Sequence, residues 1–296
     1  NYYWFMNNHI KRKAVSVVIV TFNSENLIMD CLDSIFKYND ISDDLEVVLV
    51  DNCSKNYLSM FGSIEEKYGN KVVLINNKVN GGYGQGNNLG VEVAKAPIIL
   101  IMNPDVRLVK PIFKRILSLF ERRNIAIAGM QQYESLLKRS QSFLMLREDL
   151  CSLFLYAVYT KINKFNEKYF CISGACFAVR KSVFTKVGMF DEQMFLYGEE
   201  RMLHYKILRL GNYHIVYDST IGYLHPKENR EFSSKNFLLG YHSFIYTCDK
   251  LGLDLHRSRN KMLNMYRFLE FYSWARGDKL KVKYYKEIIK LIKNNI

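Results

Sequence analysis

Short, continuously apolar runs along this chain alternate with longer stretches in which apolar residues recur every third or fourth position. The first run, residues 15–20 (VSVVIV), is rich in β-branched side chains and stops at Thr21, Phe22 and Asn23. With no polar position on either face, it predicts a strand covered on both sides. Ser24 is placed to cap a helix in which Leu27, Ile28, Cys31, Leu32, Ile35 and Phe36 fall at helical spacing. The alternation continues with strands over 46–50, 72–75 and 98–102 and helices over 57–68 and 87–95. It predicts an α/β domain with a parallel sheet, helices on both faces, and ligands at the carboxyl ends of the strands. Asn23, Asp51 and Asp105 fall at those ends.

Length and composition narrow the class. A chain of 296 residues, 49% of them hydrophobic, is not disordered and is long enough for one large core or one domain with a helical appendage. Forty-two Lys and Arg against 29 Asp and Glu leave a formal charge of +13, which points to anionic partners. Nucleic acid is not expected among them: no recognised module is present, and the basic residues gather towards the C-terminus instead of alternating with a base-stacking platform. Six cysteines without a CxxC pair suit reduced thiols in the cytoplasm. Neither a signal peptide nor an uncharged apolar stretch of the ~18 residues needed to span a bilayer is apparent. The expected location is therefore cytoplasmic, soluble or peripheral on the inner face of the cytoplasmic membrane.

Beyond residue 240 the pattern is helical, aromatic and basic. Between residues 276 and 293 there are seven basic and two acidic residues, while Leu280, Tyr284, Ile288 and Ile292 recur every fourth position. Two readings stand: a helix lying on an anionic membrane surface, or a helix packed on the domain with its lysines in solvent. The segment from Phe143 to Tyr159 is open in the same way between core, acceptor groove and membrane contact.

The richest candidate chemistry lies in VVLINNKVNGGYGQGNNLG and the strand after it, which ends at Asn103-Pro104-Asp105. Gly81, Gly82, Gly84 and Gly86 lack a Cβ, so a loop built from them lets backbone approach phosphate or sugar. A lone carboxylate at the strand end then supplies a hard oxygen ligand for Mg²⁺ or Mn²⁺. The plainer alternative is a surface loop followed by a Pro-Asp turn.

VSVVIVTFN, VVLVDNCS, NGGYGQGNN, IMNPDV, ISGACFAVRKSVFTKVGMFDEQMFLYGEE and His225, in that order, resemble the motifs of glycosyltransferase family 2. By pattern the chain is most similar to the rhamnosyltransferase-like members that build bacterial surface polysaccharides. The resemblance implies a GT-A (Rossmann-like) fold, a mostly parallel sheet flanked by helices, over residues 14–240, with a basic helical extension over 241–296. It implies that Thr21, Phe22, Asn23, Asp51, Asn80, Gly81, Gly82, Asn87, Asn103, Gly174 and Ala175 line a nucleotide-sugar site. Asp105 and His225 would hold Mg²⁺ or Mn²⁺, with Lys227 and Arg230 near the diphosphate and Ser233 or Ser234 following. Glu200, or its neighbour Glu199, would be the catalytic base.

Plainer readings stand beside these roles. Asp51 can cap a turn with Ser54, both glutamates can simply favour a helix N-terminus, and His225 can be structural. The chain also departs from the family pattern, with Asn-Pro-Asp where many members carry two aspartates, glutamate at position 200 where aspartate is usual, and Arg201-Met202 where an acidic residue often follows. The implied activity is inverting transfer from a dTDP- or UDP-sugar to a saccharide, on its own or linked to polyprenyl diphosphate. The alternative is a nucleotide-sugar-binding scaffold of the same fold without turnover.

Overall fold

The computed structural model describes residues 13–226 and 232–295. Its first half alternates β1 (Val15–Thr21), α1 (Glu25–Lys37), β2 (Leu45–Asn52), α2 (Tyr57–Tyr68), β3 (Val72–Asn77), α3 (Gly82–Val93) and β4 (Ile98–Met102). The four strands pair in parallel in the order β3-β2-β1-β4. Val17 and Ile19 point to the α1 and α2 side, Val18 to the α3 side, and all three are fully buried. Burial on both faces is why β1 reads as an unbroken apolar run. Ser24 stands at the N-cap of α1, but its hydroxyl donates to Phe22 O (3.1 Å) instead of accepting from the helix.

The second half comprises β5 (Arg107–Leu108), α4 (Phe113–Phe120), β6 (Ile125–Ser135), β7 (Lys138–Arg139), β8 (Phe143–Met145), α5 (Leu150–Lys161), β9 (Phe170–Ile172), β10 (Cys176–Arg180), α6 (Lys181–Lys186), α7 (Glu199–Leu208) and β11 (His214–Leu224). Here the sheet is mixed. β10 runs antiparallel between β4 and β6, β11 lies parallel to β6, and β5 closes the edge. β7 folds back on β6 as a hairpin, while β8 and β9 form a small separate sheet.

Three helices follow: α8 (Ser234–Leu251), α9 (Leu255–Ala275) and α10 (Lys279–Asn294). The helical extension thus begins at Ser234, and α8 runs unbroken through residue 240. Tyr241, Met262, Ile288 and Ile292 form its core. The apolar stripe of α10 divides: Ile288 and Ile292 are buried, while Leu280 is 83% exposed. Among the described residues no helix is long and apolar enough to cross a membrane.

One expected boundary moves. The glycine-rich stretch is not a loop preceding a helix at residue 87, because α3 already begins at Gly82. The glycines make room for the protein itself. A Cβ on Gly86 would lie 2.7 Å from Val20 Cγ1, one on Gly90 2.4 Å from Val18 Cγ1, and one on Gly82, at φ +87°, 2.0 Å from Phe195 O. Helix-to-sheet approach of this closeness overrides poor helix propensity. Gly90→Ala gains ~1 kcal/mol of propensity yet is expected to lower stability by about 1–3 kcal/mol through overpacking. Urea unfolding checks this, and an unchanged or raised midpoint would show that α3 can retreat from the sheet.

Candidate active site

The ends of β1 and β2 are laced together by short polar contacts. Asp51, fully buried, accepts from Ser54 N (2.8 Å) and Thr21 Oγ1 (3.2 Å). Asn23, in the left-handed region at φ +49°, donates its backbone N–H to Ser54 Oγ (2.8 Å) and accepts from Lys55 N (3.3 Å). Asp51 is thus bonded within the turn, while Phe22, 49% exposed, and Asn23 are exposed at this end of the sheet. Asn80 accepts from Gly82 N (3.1 Å), and Asn87 donates to Tyr83 O (2.9 Å) within the helix. Asn87 is buried, and the space beside Gly81 is filled by the Gln85 side chain. These three residues and Gly82 shape the entry into α3, and their Cβ space and side chains face protein.

The centre of the site lies where the parallel and mixed halves of the sheet meet. At the end of β4, Asn103 N donates to Ala175 O (2.9 Å), fastening the Asn-Pro-Asp turn to the Gly174-Ala175 turn before β10. Beyond β11, His225 N donates to Tyr133 O (2.8 Å). His225 Nε2 reaches Asp105 Oδ2 at 3.0 Å, joining residues 120 apart in sequence. Both side chains are about four-fifths buried and line a cleft of 1040 Å³, with Asn103, Ser173 and Gln132 beside them. An imidazole nitrogen and a carboxylate oxygen, converging and open to a cleft, fit a divalent cation that completes its shell with diphosphate oxygens and water. Among the described residues no third His, Cys, Asp or Glu joins them, so protein alone offers such an ion two donors.

Glu199 and Glu200 open α7 behind the left-handed Gly198. Glu200 faces the Gly174 turn: a Cβ on Gly174 would stand 3.7 Å from its Cδ and Oε2. Tyr83 closes the group, its hydroxyl donating to Gly174 O (2.7 Å). Burial, then the negative charge of Glu200 and Glu199, pushes the Tyr83 phenol well up, so it stays a donor. Burial likewise raises Glu200, partly offset by backbone amide hydrogen bonds and by Arg201. Glu199, 3% exposed and with Oε1 lacking a hydrogen-bond partner, is raised by burial and then by Glu200, from 4.5 to about 8.

The folded chain therefore holds a proton on Glu199 that the unfolded chain has released. Its contribution to stability is complete below about pH 4.5 and is lost as the pH rises to about 8. Between pH 5.5 and 8.5 the wild-type melting temperature is expected to fall, relative to Glu199→Gln, by roughly 3–6 °C. Parallel curves for the two proteins would mean that Glu199 titrates like an exposed glutamate.

Several site residues were not singled out from sequence. The Arg107 guanidinium holds the Asn-Pro-Asp turn by donating to Pro104 O (2.8 Å), Val106 O (2.9 Å) and Leu27 O (2.7 Å). Its place two residues after Asp105 was the only signal. Arg201 pairs with Glu148 (3.0 Å) behind Glu200, where sequence showed only a missing acidic residue. Ser233 caps α8, accepting from Asn236 N (3.3 Å), and Lys227 and Arg230 lie outside the described residues.

A sheet of this topology, flanked by helices and with its polar centre at the strand ends, is the GT-A fold of its solved neighbours. The mannosyltransferase PcManGT of Pyrobaculum calidifontis, solved with GDP-Man and Mn²⁺, superposes with a TM-score of 0.60 at 15% identity over 95% of this chain and 84% of that one. S. aureus TarS 1–349 in complex with UDP gives 0.55 at 15% identity over 96% and 92%. The glycosyl transferase family 2 model matches residues 16–188, and the chain belongs to that family. A poly(ribitol-phosphate) beta-glucosyltransferase of Bacillus spizizenii is 35% identical over 92 residues, 31% of this chain and 14% of that protein. The low-salt glycan biosynthesis hexosyltransferase Agl10 of Haloferax volcanii is 25% identical over 207 residues, 66% of this chain and 62% of that protein. The chain thus spans less than two thirds of the length of either relative.

Proposed function

We propose that this protein is an inverting glycosyltransferase that moves a hexose from a nucleoside-diphosphate sugar to an acceptor hydroxyl in polysaccharide synthesis. The observation that carries this reading is the Asp105–His225 contact at the head of the cleft, beside the Gly174 turn and Glu200. The nucleoside would lie over the ends of β1 and β2, against Phe22 and Asn23, on a floor kept rigid by Thr21 and Asp51. Asp105 and His225 would hold Mg²⁺ or Mn²⁺, which when bound neutralises charge on the leaving diphosphate. Burial raises both carboxyls and Glu199 to about 8, which favours Glu200 as the carboxylate that accepts a proton.

The acceptor oxygen bonds to the anomeric carbon from the face opposite the diphosphate as its proton passes to Glu200. The anomeric C–O bond breaks and its electron pair leaves with the diphosphate. The rhamnosyltransferase-like resemblance finds no echo in the relatives named above; their names carry glucosyl, hexosyl and mannosyl transfer, which supports a hexose donor on UDP, dTDP or GDP. The test is release of nucleoside diphosphate from a panel of these sugars with Mn²⁺. Release from one donor, with inverted anomeric configuration in the sugar product, supports the reading. Nucleotide binding without release points to the scaffold alternative.

Peripheral membrane contact is part of the proposal. Phe271, Trp274 and Leu280 stand exposed on α9 and α10 among Arg276, Lys279 and Lys283, and Phe154 and Val158 on α5 and Ile162 at its C-cap are exposed, the last turn of α5 lining the cleft. Apolar side chains ringed by cations match an anionic lipid surface. The chain is expected to float with phosphatidylglycerol vesicles at low salt, and Phe271→Ser/Trp274→Ser to remain unbound. Equal recovery of both proteins at the bottom of the gradient would remove this contact.

A further inference from the structure

Beyond Asp105 and His225 the cleft continues on the β6–β11 side, away from the β1–β3 half assigned to the nucleoside. It is lined by Lys138 and Arg139 of the β6–β7 hairpin and by Thr160 and Lys161 of the last turn of α5. The floor offers neutral hydrogen-bonding groups, among them Gln132 and Ser173. Among the described residues two carboxylates line the cleft: Asp105 at its head and Glu134, which is paired with Lys138 at 3.1 Å. Among the described residues Arg139 and Lys161 have no carboxylate partner. Among the described residues the outer cleft therefore carries two cations, from separate elements, that no carboxylate pairs.

Resting on the proposed glycosyl transfer, we infer that this outer cleft binds a phosphate-bearing acceptor, with Arg139 and Lys161 gripping the phosphate while the neutral floor receives sugar or polyol hydroxyls. An arginine fork and a lysine point charge lining one cleft suit a tetrahedral anion. A solvated basic surface is the ordinary fate of such residues, and helix ends favour cations. Here, however, the charges converge on a concave space continuous with the reaction centre. They lie on the side of Asp105 remote from the strands assigned to the nucleoside, which separates them from the donor diphosphate. The phosphate can belong to a prenyl diphosphate or to a phosphodiester-linked polyol chain, since both present the same group.

The test is calorimetry on the full chain saturated with Mn²⁺ and whichever of UDP, dTDP or GDP binds, so that the donor position is filled. The probes are farnesyl diphosphate, a short glycerol-phosphate oligomer and an uncharged oligosaccharide. At least one phosphate probe is expected to bind tighter than the oligosaccharide, and Arg139→Gln/Lys161→Gln to weaken it by about tenfold with nucleotide affinity unchanged. The tighter probe names the source of the phosphate. The inference is overturned if no phosphate probe outcompetes the oligosaccharide, or if the double variant binds as the wild type does. It is also overturned if the variant loses the nucleotide, because the cations then serve the donor. If none of the nucleotides binds the wild type at all, the failure lies with the glycosyl-transfer reading itself.

Discussion

Glu200→Gln is expected to lower kcat by about 10²–10⁴-fold while leaving nucleotide-sugar affinity within about twofold. The amide keeps the size of the carboxyl and its place at the start of α7, but it cannot accept the acceptor's proton. The proposed donor contacts are with Asp105, His225 and the β1 and β2 ends, so they are untouched. Glu199→Gln is the control. Its carboxyl is already protonated at neutral pH, since burial holds it up to about 8, and its activity at pH 7 is expected to change little. If Glu199→Gln is the inactive protein and Glu200→Gln the active one, the two roles are reversed. Initial rates with donor varied at saturating acceptor make the distinction, because a lost base lowers kcat and leaves KM for donor in place.

Asp105→Ala is expected to abolish the effect of Mn²⁺ on donor binding and to lower kcat/KM by about 10²–10³-fold. Among the described residues, removing Asp105 leaves His225 as the one such donor at the head of the cleft, and a single imidazole nitrogen holds a hard cation poorly. The fold should survive, because the turn is fixed through the Arg107 guanidinium and through Asn103 N to Ala175 O, neither of which uses the Asp105 side chain. Comparing wild type and variant with Mn²⁺ and with EDTA separates loss of metal from loss of shape. A variant that still binds donor more tightly with Mn²⁺ would place the cation elsewhere.

Much of the sheet was legible because its strands are covered on both faces: β4 lies where the run at 98–102 put it, and α2 where the periodicity over 57–68 did. The start of α3 was not, since Gly82, Gly84 and Gly86 lower helix propensity and only contacts with Phe195, Phe190, Val20 and Asn52 make them necessary. The antiparallel entry of β10 depends on chain path, which periodicity does not encode. In the site, the pairing of Asp105 with His225 was reachable through the order of motifs, never through spacing, because β11 brings the histidine back across 120 residues. Arg139 and Lys161 left no trace, being ordinary surface cations until a hairpin and a helix end place them on one cleft. The stripe on α10 divided between its two readings, with Ile288 and Ile292 buried and Leu280 exposed.

The most direct measurement is a calorimetric titration of the wild-type chain with UDP, dTDP and GDP, each with Mn²⁺ and with EDTA. A donor site headed by Asp105 and His225 requires one of them to bind at a Kd below about 1 mM with Mn²⁺ and at least about tenfold more weakly with EDTA. Absence of binding by all three nucleotides under both conditions would contradict it.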